Sequence, residues 1–278
     1  MMNAYRSISL LSLTLLTFAS AASAQAPAEP APLSKEVAKL EEKAARQEKT
    51  LWDWPNLARY RYANAQLPAT PADSKGAGQQ RVVFMGDSIT DAWPDPRFGE
   101  FFPGKPYVGR GISGQTTPQM LIRFRPDVIA LHASAVVILA GTNDLAGNTG
   151  PMSLEDIEAN LASMSDLAHA NNIKVIFSSV LPVYDGGHNQ EGKPVIMTDR
   201  RQPEKILALN QWIKTYAADH DDIYLDYFSA MVDDKGFLKK DLSEDGLHPN
   251  KAGYGVMAPL AQAAIDKALA SYKSPRKK

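Results

Sequence analysis

The feature that most constrains the fold is a series of five short apolar segments, spaced along the chain from residue 81 onward. The strongest is SAVVILAG at residues 134–141, which is rich in β-branched residues and has no polar side. That pattern is typical of a strand buried on both faces of a sheet. The other four segments are RVVFM, KPYVGRG, IKVIFSSV and DIYLDY.

Segments with helical patterns separate these strands or follow the last one: TPQMLIRF, SLEDIEANLASMSDLAHANN, PEKILALNQWIKTYAADH and KAGYGVMAPLAQAAIDKALASY. Strands that alternate with helices predict a parallel five-stranded sheet with helices on both faces, joined by right-handed crossovers. Residues 81–272 are therefore expected to form one α/β domain, followed by a basic tail at 273–278.

The first 80 residues have a different composition. Residues 1–24 combine Arg6, a short apolar run and the small residues around Ser23, which predicts a secretory signal peptide cleaved after Ala24. An uncleaved membrane anchor is the alternative. Residues 25–80 are expected to be a linker with a helical extension at 33–67, which Pro55 breaks or kinks. We expect a secreted or periplasmic protein without a stable membrane anchor.

Two polar turns that begin with glycine follow predicted strands: GDS at residues 86–88 and GTND at residues 141–144. Because ligands of parallel sheets bind at the carboxyl ends of the strands, both turns are predicted to lie on the ligand-binding edge. Ser88 is a candidate nucleophile there, although a serine before a helix can also serve only as its N-cap. The turn lacks the second glycine of the α/β-hydrolase nucleophile elbow.

A serine nucleophile needs a base, and His248 is the best placed of the five histidines. It lies beyond the fifth strand, three residues after Asp245, and a turn here would let the carboxylate fix the tautomer of the imidazole. An ordinary Asp-Gly turn before a helix is the alternative. The other histidines are expected on the protein surface (His132, His169, His220) or in a loop where one could touch substrate (His188).

Acyl transfer also needs donors for the negative charge that develops on the carbonyl oxygen. The Asn143 amide in GTND is one candidate, and the backbone at Gly111 and Gly114 in GRGISGQTT supplies others. Each also has an ordinary structural reading, because glycines suit tight turns and Asn-Asp suits the start of a loop.

Together, GDSIT, GRGISGQTT, GTND and DGLHP stand in the order and strand context of the GDSL, or SGNH, family of serine esterases and lipases, which the chain resembles over residues 81–260. The resemblance implies a flavodoxin-like three-layer α/β/α sandwich. It implies Ser88 as nucleophile, His248 as base and Asp245 as its partner. It also implies an oxyanion hole made of the Ser88 and Gly114 N–H groups and the Asn143 amide, with no metal and no organic cofactor.

Two positions depart from the pattern common in that family. Gly109 stands where many relatives have Asn, and Gln115 stands where many have Asp. Neither position is expected to do chemistry. Hydrogen bonding in the loop that carries Gly114 is expected to differ.

The segment PVYDGGHNQEGKPVIMTDRRQ, between the fourth strand and the next helix, is expected to overhang the same edge of the sheet. Its polar character suits short-chain acyl or O-acetylated carbohydrate esters better than fats. Tyr184, His188 and Arg200 are candidate substrate-binding residues, and an ordinary solvated loop is the alternative for each. A GDSL lipase or lysophospholipase that acts on lipid esters stays open as a second function, and the oligomeric state stays open too.

Composition narrows the possible functional classes of the protein further. The chain of 278 residues has a formal net charge of −1, so it has no electrostatic footprint for nucleic acid. It contains no cysteine, which excludes disulfides, a thiolate zinc site and a cysteine nucleophile. A non-catalytic carbohydrate-binding protein on the same fold would be expected to lack one of the site residues, and all are present. A flavin or nucleotide binder would need a longer phosphate-binding loop than GDSIT.

Overall fold

The computed structural model describes residues 31–68, 80–188 and 192–270. The chain divides into two compact units at residue 48. Helix α1, Ala31–Trp52, begins in the first unit, where its Val37 and Leu40 side chains are exposed. The predicted signal peptide and the basic tail lie outside the described residues. Within the described ranges, no helix is both long enough and apolar enough to cross a membrane.

The second unit, residues 49–278, contains a five-stranded sheet. The strands along the chain are β1 Val82–Gly86, β2 Tyr107–Gly111, β3 Ala135–Leu139, β4 Lys174–Ser178, β5 Gly187–His188, β6 Pro194–Val195 and β7 Ile223–Leu225. The main sheet has the order β2-β1-β3-β4-β7, and every neighbouring pair is parallel. This confirms the predicted parallel sheet and its five strands. Strands β5 and β6 form a separate antiparallel pair.

The helices of this unit occupy the predicted helical segments, with short additions at the ends of the strands. They are α2 Arg61–Ala65, α3 Ser88–Ala92, α4 Thr117–Asp127, α5 Thr142–Leu145, α6 Leu154–His169, α7 Pro203–Asp219, α8 Tyr227–Met231 and α9 Lys251–Ala270. Helix α1 ends at Trp52, and Pro55 follows after two more residues, where a helix could not continue unbroken.

Apolar side chains cover both faces of the sheet, as β1 illustrates. All five of its residues are buried. Val83 and Met85 belong to one apolar cluster, which includes side chains from α4, α6 and α7. Val82 and Phe84 belong to a second cluster, which includes side chains from α9. Because successive side chains of a strand point to opposite faces, one strand joins both clusters and the fold has three layers.

Glycines at two neighbouring strand ends let α3 start directly at the edge of the sheet. A Cβ atom on Gly86, the last residue of β1, would lie 2.1 Å from Thr90 Oγ1. A Cβ atom on Gly111, at the end of β2, would lie 2.1 Å from the backbone nitrogen of Asp91. The close approach of the helix therefore requires glycine at both strand ends, and it places Ser88 at the carboxyl edge.

Candidate active site

Ser88 is the first residue of α3, immediately after β1. Asp87 caps the helix, and its Oδ1 accepts a hydrogen bond of 2.9 Å from the N–H of Ile89. The Ser88 hydroxyl lies 2.8 Å from Nε2 of His248. The helix thus takes its cap from the preceding aspartate, and the serine hydroxyl is left to bond the imidazole.

The other ring nitrogen of His248 contacts a carboxylate. His248 Nδ1 lies 2.6 Å from Asp245 Oδ2, and Asp245 Oδ1 accepts the N–H groups of Leu247 at 2.9 Å and His248 at 2.8 Å. Burial acts to raise the pKa of Asp245, but the hydrogen bonds and charge of His248 outweigh it and lower the pKa to about 2. The carboxylate is therefore ionised at neutral pH and holds the imidazole in one orientation.

These side chains open into a cavity of about 870 Å³. Ser88, Asp245 and His248 line it together with Gly114 and Asn143, so the structure brings all five predicted residues to one place. Its volume suits a small substrate or part of a larger one.

Gly114 and Asn143, the two other predicted oxyanion donors, line the same cavity from two different loops. Gly114 has a φ of +80°, a left-handed conformation that favours glycine, and within the described residues its N–H donates no hydrogen bond. The Asn143 side chain is buried, and Nδ2 donates one hydrogen to the carbonyl of Gln115 at 3.0 Å. Its Oδ1 accepts from Asn148 Nδ2 at 2.9 Å, which fixes which way the amide faces. A second Nδ2 hydrogen is left for a ligand.

The side chain of Gln115 anchors the loop that carries Gly114. Its Nε2 donates to the carbonyl of Pro55 at 2.7 Å, and its Oε1 accepts from Arg123 Nε at 2.5 Å. The hydroxyl of Tyr60 also donates to the carbonyl of Gly111 at the start of this loop. Residues 53–68 therefore brace this loop through two contacts, and one of them is made by Gln115, which departs from the common family pattern.

Two aspartates beside the site were not singled out from the sequence. Asp144 Oδ1 accepts the N–H of Thr117 at 2.8 Å and its hydroxyl at 2.6 Å, which ties the GTND turn to the start of α4. Asp87 is completely buried, and its Oδ2 has no hydrogen-bond partner among the described residues. Burial raises the pKa of Asp87 to about 6. Both aspartates stand inside the GDS and GTND turns, but the sequence does not show that Asp87 is completely buried or that Asp144 bonds to the distant Thr117.

Of the three predicted substrate-binding residues, the structure places one in the cavity. His188 is exposed and lines it. Tyr184 is buried, and its hydroxyl donates to the carbonyl of Ser243 at 3.0 Å, so it supports the Asp245 loop from beneath. Arg200 points away to the carbonyl of Ala146, to which its Nε donates at 2.9 Å. The structure does not bring Tyr184 or Arg200 to the cavity wall.

Arg201, the next residue, does line the cavity. The sequence does not distinguish two adjacent arginines before a helix, since only the direction of the turn decides which one faces inward. The remaining histidines are exposed, as predicted: His132, His169 and His220. In the part of the chain that the structure describes, no group of three or more metal-ligating side chains is placed to hold an ion.

A parallel α/β sandwich with a serine, a histidine and a carboxylate joined by hydrogen bonds at its carboxyl edge has the architecture of a serine hydrolase. The family model of the GDSL-like Lipase/Acylhydrolase family matches residues 84–256, and the chain belongs to this family. Membership supports ester hydrolase activity in general. No curated protein sequence matches the chain significantly.

Solved structures agree with this assignment. A candidate acylhydrolase from Bacteroides fragilis is 42% identical, with a TM-score of 0.68 over 78% of this chain and 99% of that one. A GDSL-like lipase from Bacteroides thetaiotaomicron is 40% identical, with a TM-score of 0.67 over 77% of this chain and 98% of that one. An acetyl xylan esterase shares the fold at 20% identity, with a TM-score of 0.53 over 66% of this chain and 99% of that one.

Proposed function

We propose that this protein is an exported serine esterase that hydrolyses carboxylic esters through Ser88, His248 and Asp245. One observation carries the proposal: the hydrogen bonds of 2.8 Å from Ser88 to His248 and of 2.6 Å from His248 to Asp245, at the wall of a cavity. Export rests on the predicted signal peptide of residues 1–24.

In the first half of the reaction, His248 Nε2 takes the hydroxyl proton as Ser88 Oγ attacks the ester carbonyl. The carbonyl oxygen becomes an oxyanion, which the N–H groups of Ser88 and Gly114 and the free hydrogen of Asn143 Nδ2 stabilise. Each such donor contributes about 3–4 kcal/mol of transition-state stabilisation. Protonated His248 then gives its proton to the departing alcohol, which leaves an acyl group on Ser88.

In the second half, His248 removes a proton from water, which attacks the acyl group and releases the acid. Each time His248 becomes an imidazolium, the carboxylate of Asp245 lies 2.6 Å away to stabilise it. Because the pKa of Asp245 is held at about 2, this carboxylate keeps its charge at neutral pH.

The substrates that we propose are short-chain acyl esters or O-acetylated carbohydrate esters. Support comes from the polar side chains in the cavity wall, which include His188, Glu244 and Lys251 as well as the site residues and stand beside apolar ones such as Phe98 and Leu247. A second candidate is a lipid ester, because a 40% identical structure is described as a GDSL-like lipase.

The test is a panel of 4-nitrophenyl esters from acetate to octanoate, run beside release of acetate from an acetylated xylooligosaccharide. We expect the highest kcat/KM on the acetyl substrates. We expect Ser88→Ala to lower kcat by about 10⁴-fold or more with unchanged thermal stability. Ser113→Ala is the matched control, since the Ser113 hydroxyl also lies at the cavity but donates to Asp91 at 2.8 Å. Turnover retained in Ser88→Ala contradicts the mechanism, and a preference for octanoate favours the lipid ester.

A further inference from the structure

We propose that Arg201 binds a carboxylate group carried by the ester substrate. The inference deepens the proposed function and rests on it, because Arg201 lines the same cavity as Ser88, Asn143 and His248. The side chain reaches this wall from the turn that precedes α7, and Arg201 is only 7% exposed. Its guanidinium is therefore a buried positive charge at the place where a substrate has to sit.

No counter-ion neutralises this charge at close range. Among the described residues, no carboxylate oxygen lies within 4.0 Å of the Arg201 guanidinium. Asp87 and Asp245 act on it from farther away. Of the other buried arginines, Arg123 is paired with Asp127 at 3.1 Å, whereas Arg81 and Arg110 donate to strong oxygen acceptors, namely backbone carbonyls and the Asn64 amide. Since an unpaired buried charge is costly, the arrangement at Arg201 is one that a bound anion would relieve.

The protein contacts of Arg201 fix the guanidinium and leave part of it unused. Its Nε donates to Thr142 Oγ1 at 3.0 Å, and Nη2 lies 3.4 Å from Asn143 Oδ1. Within the described part of the chain, Nη1 donates only to the sulfur of Met197, at 3.8 Å, and a thioether sulfur is a weak acceptor. A guanidinium held in this way presents N–H donors in a plane, which matches the two oxygens of a carboxylate.

The other charges of the cavity wall are of both signs. Arg97 and Lys251 are positive, and Glu244 and Asp245 are negative, so these four charges balance and leave the charge of Arg201 in excess. A single carboxylate matches the single buried guanidinium. The substrate carboxylate can belong to the acyl part of the ester or to its alcohol part. In both cases the carboxylate oxygens accept hydrogen bonds from Arg201.

The experiment uses two matched pairs of esters with the full-length enzyme. 4-Acetoxybenzoate and 4-acetoxybenzamide differ in a charge on the alcohol side. 4-Nitrophenyl hydrogen glutarate and 4-nitrophenyl valerate differ in a charge on the acyl side. Each kcat/KM is divided by the second-order rate constant for hydroxide hydrolysis of the same ester, which leaves out the intramolecular attack by the glutarate carboxylate. We expect the wild-type enzyme to prefer the carboxylate member of one pair, which identifies the side that Arg201 contacts.

Substitution then tests the residue. In Arg201→Gln, we expect kcat/KM on the preferred carboxylate ester to fall about 10- to 100-fold more than on its neutral partner, as for loss of a hydrogen bond to a charged group. Arg201→Lys retains part of the preference because it keeps the charge. Arg200→Gln removes the neighbouring charge outside the cavity wall and leaves the preference unchanged.

Equal losses on both members of each pair overturn the inference, because Arg201 would then act only on Asn143. The absence of any carboxylate preference in the wild-type enzyme overturns it as well, and that measurement does not depend on how a variant folds. Failure of the proposed function has a different signature: the wild-type enzyme hydrolyses none of the four esters, or Ser88→Ala hydrolyses them equally well.

Discussion

At the residue scale, the aspartate beside the nucleophile has an unusual electrostatic position. Asp87 is completely buried and its pKa is raised to about 6 by burial, above the value of about 3.9 for an unfolded chain. The folded state therefore binds the Asp87 proton more tightly than the unfolded state does. The contribution of this group favours folding below about pH 4 and is lost progressively as the pH rises through 6.

Asp87→Asn removes the ionisation and keeps an oxygen that can accept the N–H of Ile89. We expect the free energy of unfolding of the variant to exceed that of the wild type by about 1–3 kcal/mol at pH 8. At pH 4 the difference should vanish, because Asp87 is then protonated in the folded wild type. Urea denaturation of both proteins at the two pH values measures this. Identical pH dependence of the two proteins would show that the buried carboxyl does not carry the effect.

Single residues also show how far the sequence could predict the site. Ser88, Asn143, Asp245 and His248 each stand in a short motif next to a strand end, so motif order and strand context were enough to place them together. Arg201 and its neighbour Arg200 stand in no motif, and the direction of one turn separates the cavity wall from the outer surface. That direction depends on tertiary packing, which a local pattern does not contain.

At the element scale, the antiparallel pair β5–β6 supports the loop that carries Asp245. The N–H of His188 donates to the carbonyl of Glu244 at 3.2 Å, and the N–H of Tyr184 donates to the carbonyl of Gly246 at 3.0 Å. Gly187 packs directly on this loop, where a Cβ atom would lie 2.2 Å from the carbonyl carbon of Asp245. The position of the carboxylate therefore depends on a glycine in another element.

Gly187→Ala should displace the Asp245 loop and lower kcat/KM on 4-nitrophenyl acetate by about 10- to 100-fold, because small misplacements of catalytic groups are costly. Gly255→Ala is the matched control, since a Cβ atom at this position of α9 meets open space. We expect the control to keep full activity and to gain up to about 1 kcal/mol of stability. Wild-type kcat/KM in Gly187→Ala would contradict the supporting role of β5.

At the scale of the whole molecule, the parallel sheet could be predicted because its strands are continuous apolar runs between amphipathic helices. The bracing of the Gly114 loop by residues 53–68 could not be predicted from the sequence. It depends on polar contacts between distant residues, such as Gln115 with Pro55 and Asn64 Nδ2 with Asp127 Oδ1 at 2.7 Å. Such contacts leave no periodic pattern. This segment lies outside the family match at residues 84–256, so the family motifs do not reveal it either.

The central claim is that Ser88, activated by His248, attacks an ester carbonyl. Its most direct test is the intact mass of the protein after treatment with a fluorophosphonate, which phosphonylates activated serines, followed by peptide mapping. We predict one adduct per chain, located on Ser88 and absent from Ser88→Ala. An unmodified wild-type protein, or an adduct that forms equally in Ser88→Ala, would contradict the account.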